Sequence, residues 1–166
     1  MEYALYELTG RLSHTWLSGF IQTTPYVIPG LQIVHILCVA IVFTAATVTA
    51  GRVFGWVERD VEESRVARRF LTSIWKVLPI LVLTGSLLVV GEPRRSLLNA
   101  TFGLKMALLL FAIILTGVLQ ARVMHLPDGM RRREGRTATI MVSIAFLTLW
   151  CTILVAGRWI AYTPTA

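Results

Sequence analysis

The sequence predicts an all-α integral membrane protein, a four-helix bundle with a short N-terminal interfacial helix. Its 166 residues are 55% hydrophobic and 15% charged, whereas soluble domains have roughly 25% charged residues. The stretch 31–50 contains no acidic or basic side chain. At about 1.5 Å per residue, a helix of this length crosses the roughly 30 Å hydrocarbon layer of a bilayer. Composition and the length of this stretch therefore both predict a membrane protein.

The remaining elements follow along the chain. Residues 1–30 are mixed in polarity, and an apolar repeat at helical spacing predicts an amphipathic helix lying at the membrane interface; its members are Leu12, Trp16, Leu17 and Phe20. Long apolar stretches then predict membrane spans, and together they form a single membrane domain over residues 1–166. The predicted spans are about 31–50, 70–90, 104–123 and 137–162.

The basic residues predict the orientation of the chain. Six of them lie in the connection after the first span and five lie in the stretch 122–136, against four on the opposite side. Short loops rich in Lys and Arg stay in the cytoplasm, so we expect both termini outside, in the periplasm of a bacterium, with the chain in the inner (plasma) membrane. This distribution also accounts for the net charge of +7 without nucleic acid as a partner.

Two ionisable residues of the predicted spans are expected at a similar depth in the membrane. His35 is in the first span and Lys105 is at the start of the third. An ionisable group within a span costs a few kcal/mol unless it is compensated, so it is a candidate for function. The first and third spans run in the same direction, which predicts that both residues lie in the outer leaflet. Arg158, late in the fourth span, is expected near the same level.

This arrangement suggests a haem site. One histidine well inside a span excludes the two-haem design, which needs two histidine pairs. A single haem b requires one axial ligand, for which we predict His35 as the iron-binding residue. The second position is left to Lys105, Met106, His14 or a partner chain, or it stays open. Arg158, with Arg94 and Arg95, is expected to receive the haem carboxylates.

Each of these residues also has a simpler interpretation. A lone histidine near a helix start commonly bonds to a backbone carbonyl or a threonine. Lys105 can extend its amine to the interface, and Arg158 can act as an interfacial anchor. Met106 can serve for packing alone. Two cysteines, Cys38 and Cys151, lie in apolar stretches, and no disulfide is expected.

Several short motifs resemble a widespread, functionally uncharacterised family of bacterial four-helix membrane proteins. They are VHILCVA in the first span, GRVFG after it, VLPILVLTGSLL in the second span, TFGLKMALLL opening the third, and a Trp followed by GRWIAY at the end. The resemblance covers about residues 25–163. Where that family commonly has an Asp-Leu-Arg run, this chain has Ala50, Gly51 and Arg52.

The chain is more distantly similar to the membrane protoporphyrinogen oxidases of the HemJ type, and more loosely to copper-resistance membrane proteins. The similarity consists of a His in the first span, a Pro and a Gly in the second, and a Lys opening the third. It implies bound haem b and functional roles for His35 and Lys105. The acidic and basic closing motif of the oxidases is replaced here by GRWIAY, so the resemblance does not extend to oxidase activity.

Together these observations predict a haem-b-binding membrane protein that transfers electrons or is a redox subunit, with a quinone or a partner membrane subunit as its redox partner. Whether it is an enzyme is left open. The alternative is a non-catalytic membrane subunit or assembly factor of a larger complex, without its own cofactor. Transport is the weaker third option, because four short spans leave little room for a pathway.

Overall fold

The computed structural model of the chain describes residues 2–57, 63–125 and 134–159. Within these ranges the chain is helical and contains no strand. The helices are α1 (Glu2–Ser13), α2 (Trp16–Thr23), α3 (Val27–Val53), α4 (Glu63–Gly91), α5 (Pro93–Leu97), α6 (Ala100–His125) and α7 (Glu134–Trp159).

The four long helices α3, α4, α6 and α7 form the predicted bundle. Each contains a stretch of mean hydropathy between 2.0 and 2.3 that is long enough to cross a membrane. The prediction of an all-α four-helix membrane bundle is therefore confirmed. Helix α4 continues through Pro79, and residues 160–162 of the predicted fourth span lie outside the described residues.

The four helices pack as a closed ring. Helix α3 packs against α4 and α7, and α6 packs against the same two helices. Helices α3 and α6 are therefore diagonal neighbours across the bundle. Near the start of α3 the side chain of His35 meets Gly85 near the end of α4, so α3 and α4 are antiparallel. Lys105 of α6 meets Gly157 of α7 in the same way.

One half of the bundle is filled by small and aromatic side chains, and we call it the packed half. Ala45 and Ala46 of α3 are buried in one cluster with Leu71 of α4. The fully buried Phe146 packs edge-on against Trp150, with 6.4 Å between ring centroids. Small residues allow helix backbones to approach closely, and this contact holds helices together where lipid is as apolar as the helix itself.

The other end of the bundle is covered by the short helices, and we call it the capped end. Helix α1 packs against α5, and α2 packs against α4 and α3. The Gln22 side-chain amide donates to the carbonyl of Gly91 at 2.9 Å. Ile21 lies against the same glycine, where a Cβ would come within 2.8 Å of its Cγ2. The N-terminal segment is therefore docked where α4 ends.

The N-terminal segment contains two helices, α1 and α2, where the apolar repeat indicated one. The chain leaves α1 at Ser13, and Thr15 begins α2 as its N-cap by accepting a hydrogen bond from the backbone N–H of Ser18 at 3.3 Å. Such a side-chain cap satisfies a donor that the first turn leaves unpaired. Trp16 stacks on Phe20 with 5.7 Å between ring centroids, and both rings are exposed. Their place at the membrane interface stays a prediction.

Candidate functional site

His35 lies near the start of α3, half-buried between α3 and α4. Its Nδ1 is 2.9 Å from Oγ1 of Thr84, a residue of α4 that is 4% exposed. The simpler interpretation of a lone histidine, a hydrogen bond to a threonine, is thus what the structure has. For a metal site, the important point is which ring nitrogen this hydrogen bond leaves with a free lone pair.

The hydrogen bonds of Thr84 allow the tautomer of the imidazole to be assigned. The Thr84 hydroxyl donates to the carbonyl of Ile80 at 2.8 Å, with a longer contact of 3.3 Å to the carbonyl of Leu81. A hydroxyl has one proton to donate, so towards His35 it acts as the acceptor. Nδ1 therefore carries the N–H in the neutral ring, a tautomer assigned from the hydrogen-bond network. Nε2 keeps its lone pair.

The imidazole of His35 lies against Gly85 of α4. A Cβ added to Gly85 would lie 3.4 Å from Cε1 of His35, which is ordinary van der Waals distance. The ring therefore packs directly against the backbone of α4. Among the residues that the structure describes, Nε2 has no hydrogen-bond partner.

Lys105 occupies the matching position on the second pair of helices. It lies near the start of α6 and is half-buried. A Cβ added to Gly157 of α7 would lie 3.3 Å from its Nζ, so the amine rests against the α7 backbone. Lys105 takes part in neither of the two ion pairs found in the described part of the chain.

His35 and Lys105 lie at the same end of the bundle, on the diagonal helices α3 and α6. Each lies against a glycine of its neighbouring antiparallel helix. The structure thus brings the two ionisable residues to one end of the bundle, the capped end, while their roles as ligands stay a prediction.

The other predicted site residues lie around this pair. Met106 is half-buried on α6, and its side chain leaves the helix about 100° away from that of Lys105. Arg158 is exposed and follows Gly157 on α7. His14 is exposed in the turn between α1 and α2. None of these three has a hydrogen bond to His35 in the structure.

The two predicted carboxylate-binding arginines of the capped end lie on α5. Arg94 and Arg95 are both exposed. Arg95 donates to Glu92 at 3.1 Å, so its guanidinium already has a carboxylate partner.

Three residues of the site were not predicted as such, namely Thr84, Gly85 and Gly157. The sequence contained a usable signal for them. In an antiparallel pair of helices, a residue near the start of one helix lies level with a residue near the end of the next. Counting from the middle of the connection would have placed Thr84 and Gly85 beside His35.

Fold and site together define a multi-pass membrane protein with four spans and a polar pair at one end of the bundle. The chain belongs to the family described as "Family of unknown function (DUF6644)", which matches residues 11–163. The predicted membership of an uncharacterised family is confirmed at that level. No curated protein and no solved structure matches the chain, so no match supports the similarity to HemJ-type oxidases or copper-resistance proteins.

Proposed function

We propose that the protein binds one haem b at the capped end of its bundle, with Nε2 of His35 as an axial ligand of the iron. The observation that carries this proposal is the hydrogen bond between His35 and Thr84. Haem iron is bound by a neutral imidazole nitrogen. Thr84 places the proton on Nδ1 and so leaves Nε2 free for a metal.

The surroundings of His35 fit a haem ligand in a second respect. Histidines that bind metals usually donate their other ring N–H to a fixed acceptor, which orients the ring. Thr84 is a fixed acceptor, because its own hydroxyl is held by the carbonyl of Ile80. The imidazole is thereby oriented from α4 while it belongs to α3.

Other residues would complete the site. Lys105 and Met106 are the candidates for the second axial position, and Arg158 is the candidate for a haem carboxylate. Lysine binds iron only as the free amine. When bound, haem supplies one-electron chemistry. The protein would orient it, exclude water and exchange electrons with a quinone or a partner membrane subunit.

The proposed setting is a bacterial inner membrane with both termini outside. The excess of basic residues in the connections after the first and third spans supports this orientation. Parts of those connections, residues 58–62 and 126–133, lie outside the described residues. In this orientation the capped end, and with it the proposed haem, faces the periplasm.

An absorption spectrum of the purified protein tests the proposal. The protein is extracted in mild detergent and measured oxidised and then reduced with dithionite, as the native chain and as His35→Ala and His14→Ala. We expect a Soret band that His35→Ala removes. We expect His14→Ala to keep it, because His14 is exposed in the turn between α1 and α2 and we assign the second axial position to Lys105 or Met106.

The outcome also decides between the two predicted functions. A native protein without a Soret band, or a band that His35→Ala leaves intact, contradicts the haem proposal. If the protein also copurifies with one stoichiometric partner and tolerates His35→Ala, it is a non-catalytic membrane subunit or assembly factor.

A further inference from the structure

We propose that the amine of Lys105, lying over Gly157, binds an oxyanion, either a carboxylate or a phosphate group, at the capped end of the bundle. This proposal gives Lys105 a role different from that of an axial ligand: it pairs with an anion as the charged ammonium group and does not bind iron as the free amine. It starts from a half-buried amine that has no acceptor in the described part of the chain.

The described acidic side chains do not neutralise Lys105. They are Glu7 and Glu92, and each is paired with an arginine of its own helix or turn, Arg11 at 2.7 Å and Arg95 at 3.1 Å. Both pairs are exposed. An ammonium group has three donors and no acceptor, and leaving it unpaired between apolar helices is costly. A partner of opposite charge from outside the protein removes that cost.

Gly157 makes the amine available to such a ligand. A Cβ at this position would lie 3.3 Å from Nζ, tighter than an ordinary contact, and the flexible lysine would have to move away. Glycine instead allows the amine to rest against α7. The side chain of Lys105 is half-buried and not fully enclosed, so part of it is accessible to a ligand.

Two sources within a membrane carry this chemistry. One is the carboxylate of a bound haem, and the other is the phosphate of an acidic phospholipid. Lysine pairs with either group as a compact point charge. The two sources are separated by matched probes that differ only in the anionic group, haem against haem dimethyl ester and phosphatidic acid against diacylglycerol.

The experiment measures dissociation constants of these four probes for delipidated, haem-free protein in an uncharged detergent. The variants are the native chain, Lys105→Met and, as a matched control, Lys76→Met, since Lys76 is an exposed lysine of α4 far from the capped end. We expect the native chain and Lys76→Met to bind at least one anionic probe about tenfold tighter than its uncharged counterpart. Lys105→Met should lose this preference.

A second variant keeps the test valid if Lys105→Met folds poorly. Lys105→Gln replaces the charged group with a neutral polar side chain, so we expect the preference for the anionic probe to be lost. A preference for haem over its ester assigns the carboxylate, and a preference for phosphatidic acid assigns the phosphate. If no anionic probe is preferred, or if both variants prefer it as strongly as the native chain, the proposal is overturned.

The Soret band and the probe preferences together distinguish failure of this proposal from failure of the haem proposal. Protein without a Soret band that still prefers phosphatidic acid through Lys105 refutes the haem site alone. Protein with a His35-dependent Soret band that binds haem and its ester equally, and phosphatidic acid and diacylglycerol equally, refutes the oxyanion site alone.

Discussion

The two ends of the bundle use small residues for different purposes. In the packed half, Ala45 and Ala46 bring α3 close to its neighbours, so that apolar side chains fill the space between helices. At the capped end, Gly85 and Gly157 instead lie against the side chains of His35 and Lys105, and only the contact at Gly157 would be tight for a larger residue. A small residue in a membrane helix can therefore serve backbone packing or the placement of a polar group, and only its neighbours distinguish the two uses.

The two ends also differ in what stabilises them. The packed half depends on van der Waals contact, because lipid removes most of the hydrophobic difference between inside and outside. The packed half has one side-chain hydrogen bond between helices, from Trp75 to Gln120, and the capped end has those from His35 to Thr84 and from Gln22 to Gly91. We therefore expect substitutions in the packed half to affect stability most, and substitutions at the capped end to affect ligand binding.

The largest expected effect on stability is that of Phe146→Ala. Phe146 is 0% exposed in the bundle core, and removing a buried aromatic ring costs about 3 kcal/mol or more. The free energy of unfolding in detergent micelles, measured by denaturant titration, checks this. Phe111→Ala is the matched control, because Phe111 is 54% exposed on α6. Equal losses for the two variants would show that Phe146 does not have the buried position described.

A smaller effect on stability, with a larger one on binding, is expected for Thr84→Val. Valine keeps the shape of threonine but cannot accept the proton of Nδ1, so unfolding should become about 1 to 2 kcal/mol easier. If His35 binds haem iron, haem affinity should fall about 10- to 100-fold, measured by titration of haem into the haem-free protein.

The control for Thr84→Val is Thr152→Val. Thr152 donates to the carbonyl of Thr148 at 2.9 Å, just as Thr84 donates to Ile80, but it is exposed on α7. It should leave haem affinity unchanged, and Thr84→Ser should retain most of the native affinity. A similar loss of haem affinity in Thr84→Val and Thr152→Val would show that the loss does not come from the hydrogen bond between Thr84 and His35.

The smallest expected effect is that of Gln22→Ala at the capped end. It removes the hydrogen bond to Gly91 and should cost about 1 kcal/mol or less. Hydrogen exchange should become faster in α1 and α2, while the packed half keeps its protection, because local opening does not require global unfolding. Gln32→Ala, at an exposed position of α3, is the control. Uniformly faster exchange in all helices would mean that the cap and the bundle unfold together.

The comparison of the two ends also shows why the sequence predicted the spanning helices but not the break between α1 and α2. The helices of the packed half follow from apolar stretches such as residues 31–50, whose length alone requires a membrane-spanning helix. The break between α1 and α2 was missed, because an apolar repeat continues across it. The start of α2 is instead set by a local interaction, the side chain of Thr15 that caps its first turn.

By itself, the sequence determined the helical class, the four spans and the positions of His35 and Lys105 within them. Apolar stretches of sufficient length predict the spans, and an ionisable residue inside a span is conspicuous because it is costly in lipid. Only the tertiary structure decided what those residues face. The partners of His35 are Thr84 and Gly85, and the partner of Lys105 is Gly157. They come from other helices, since packing geometry determines which positions share a level.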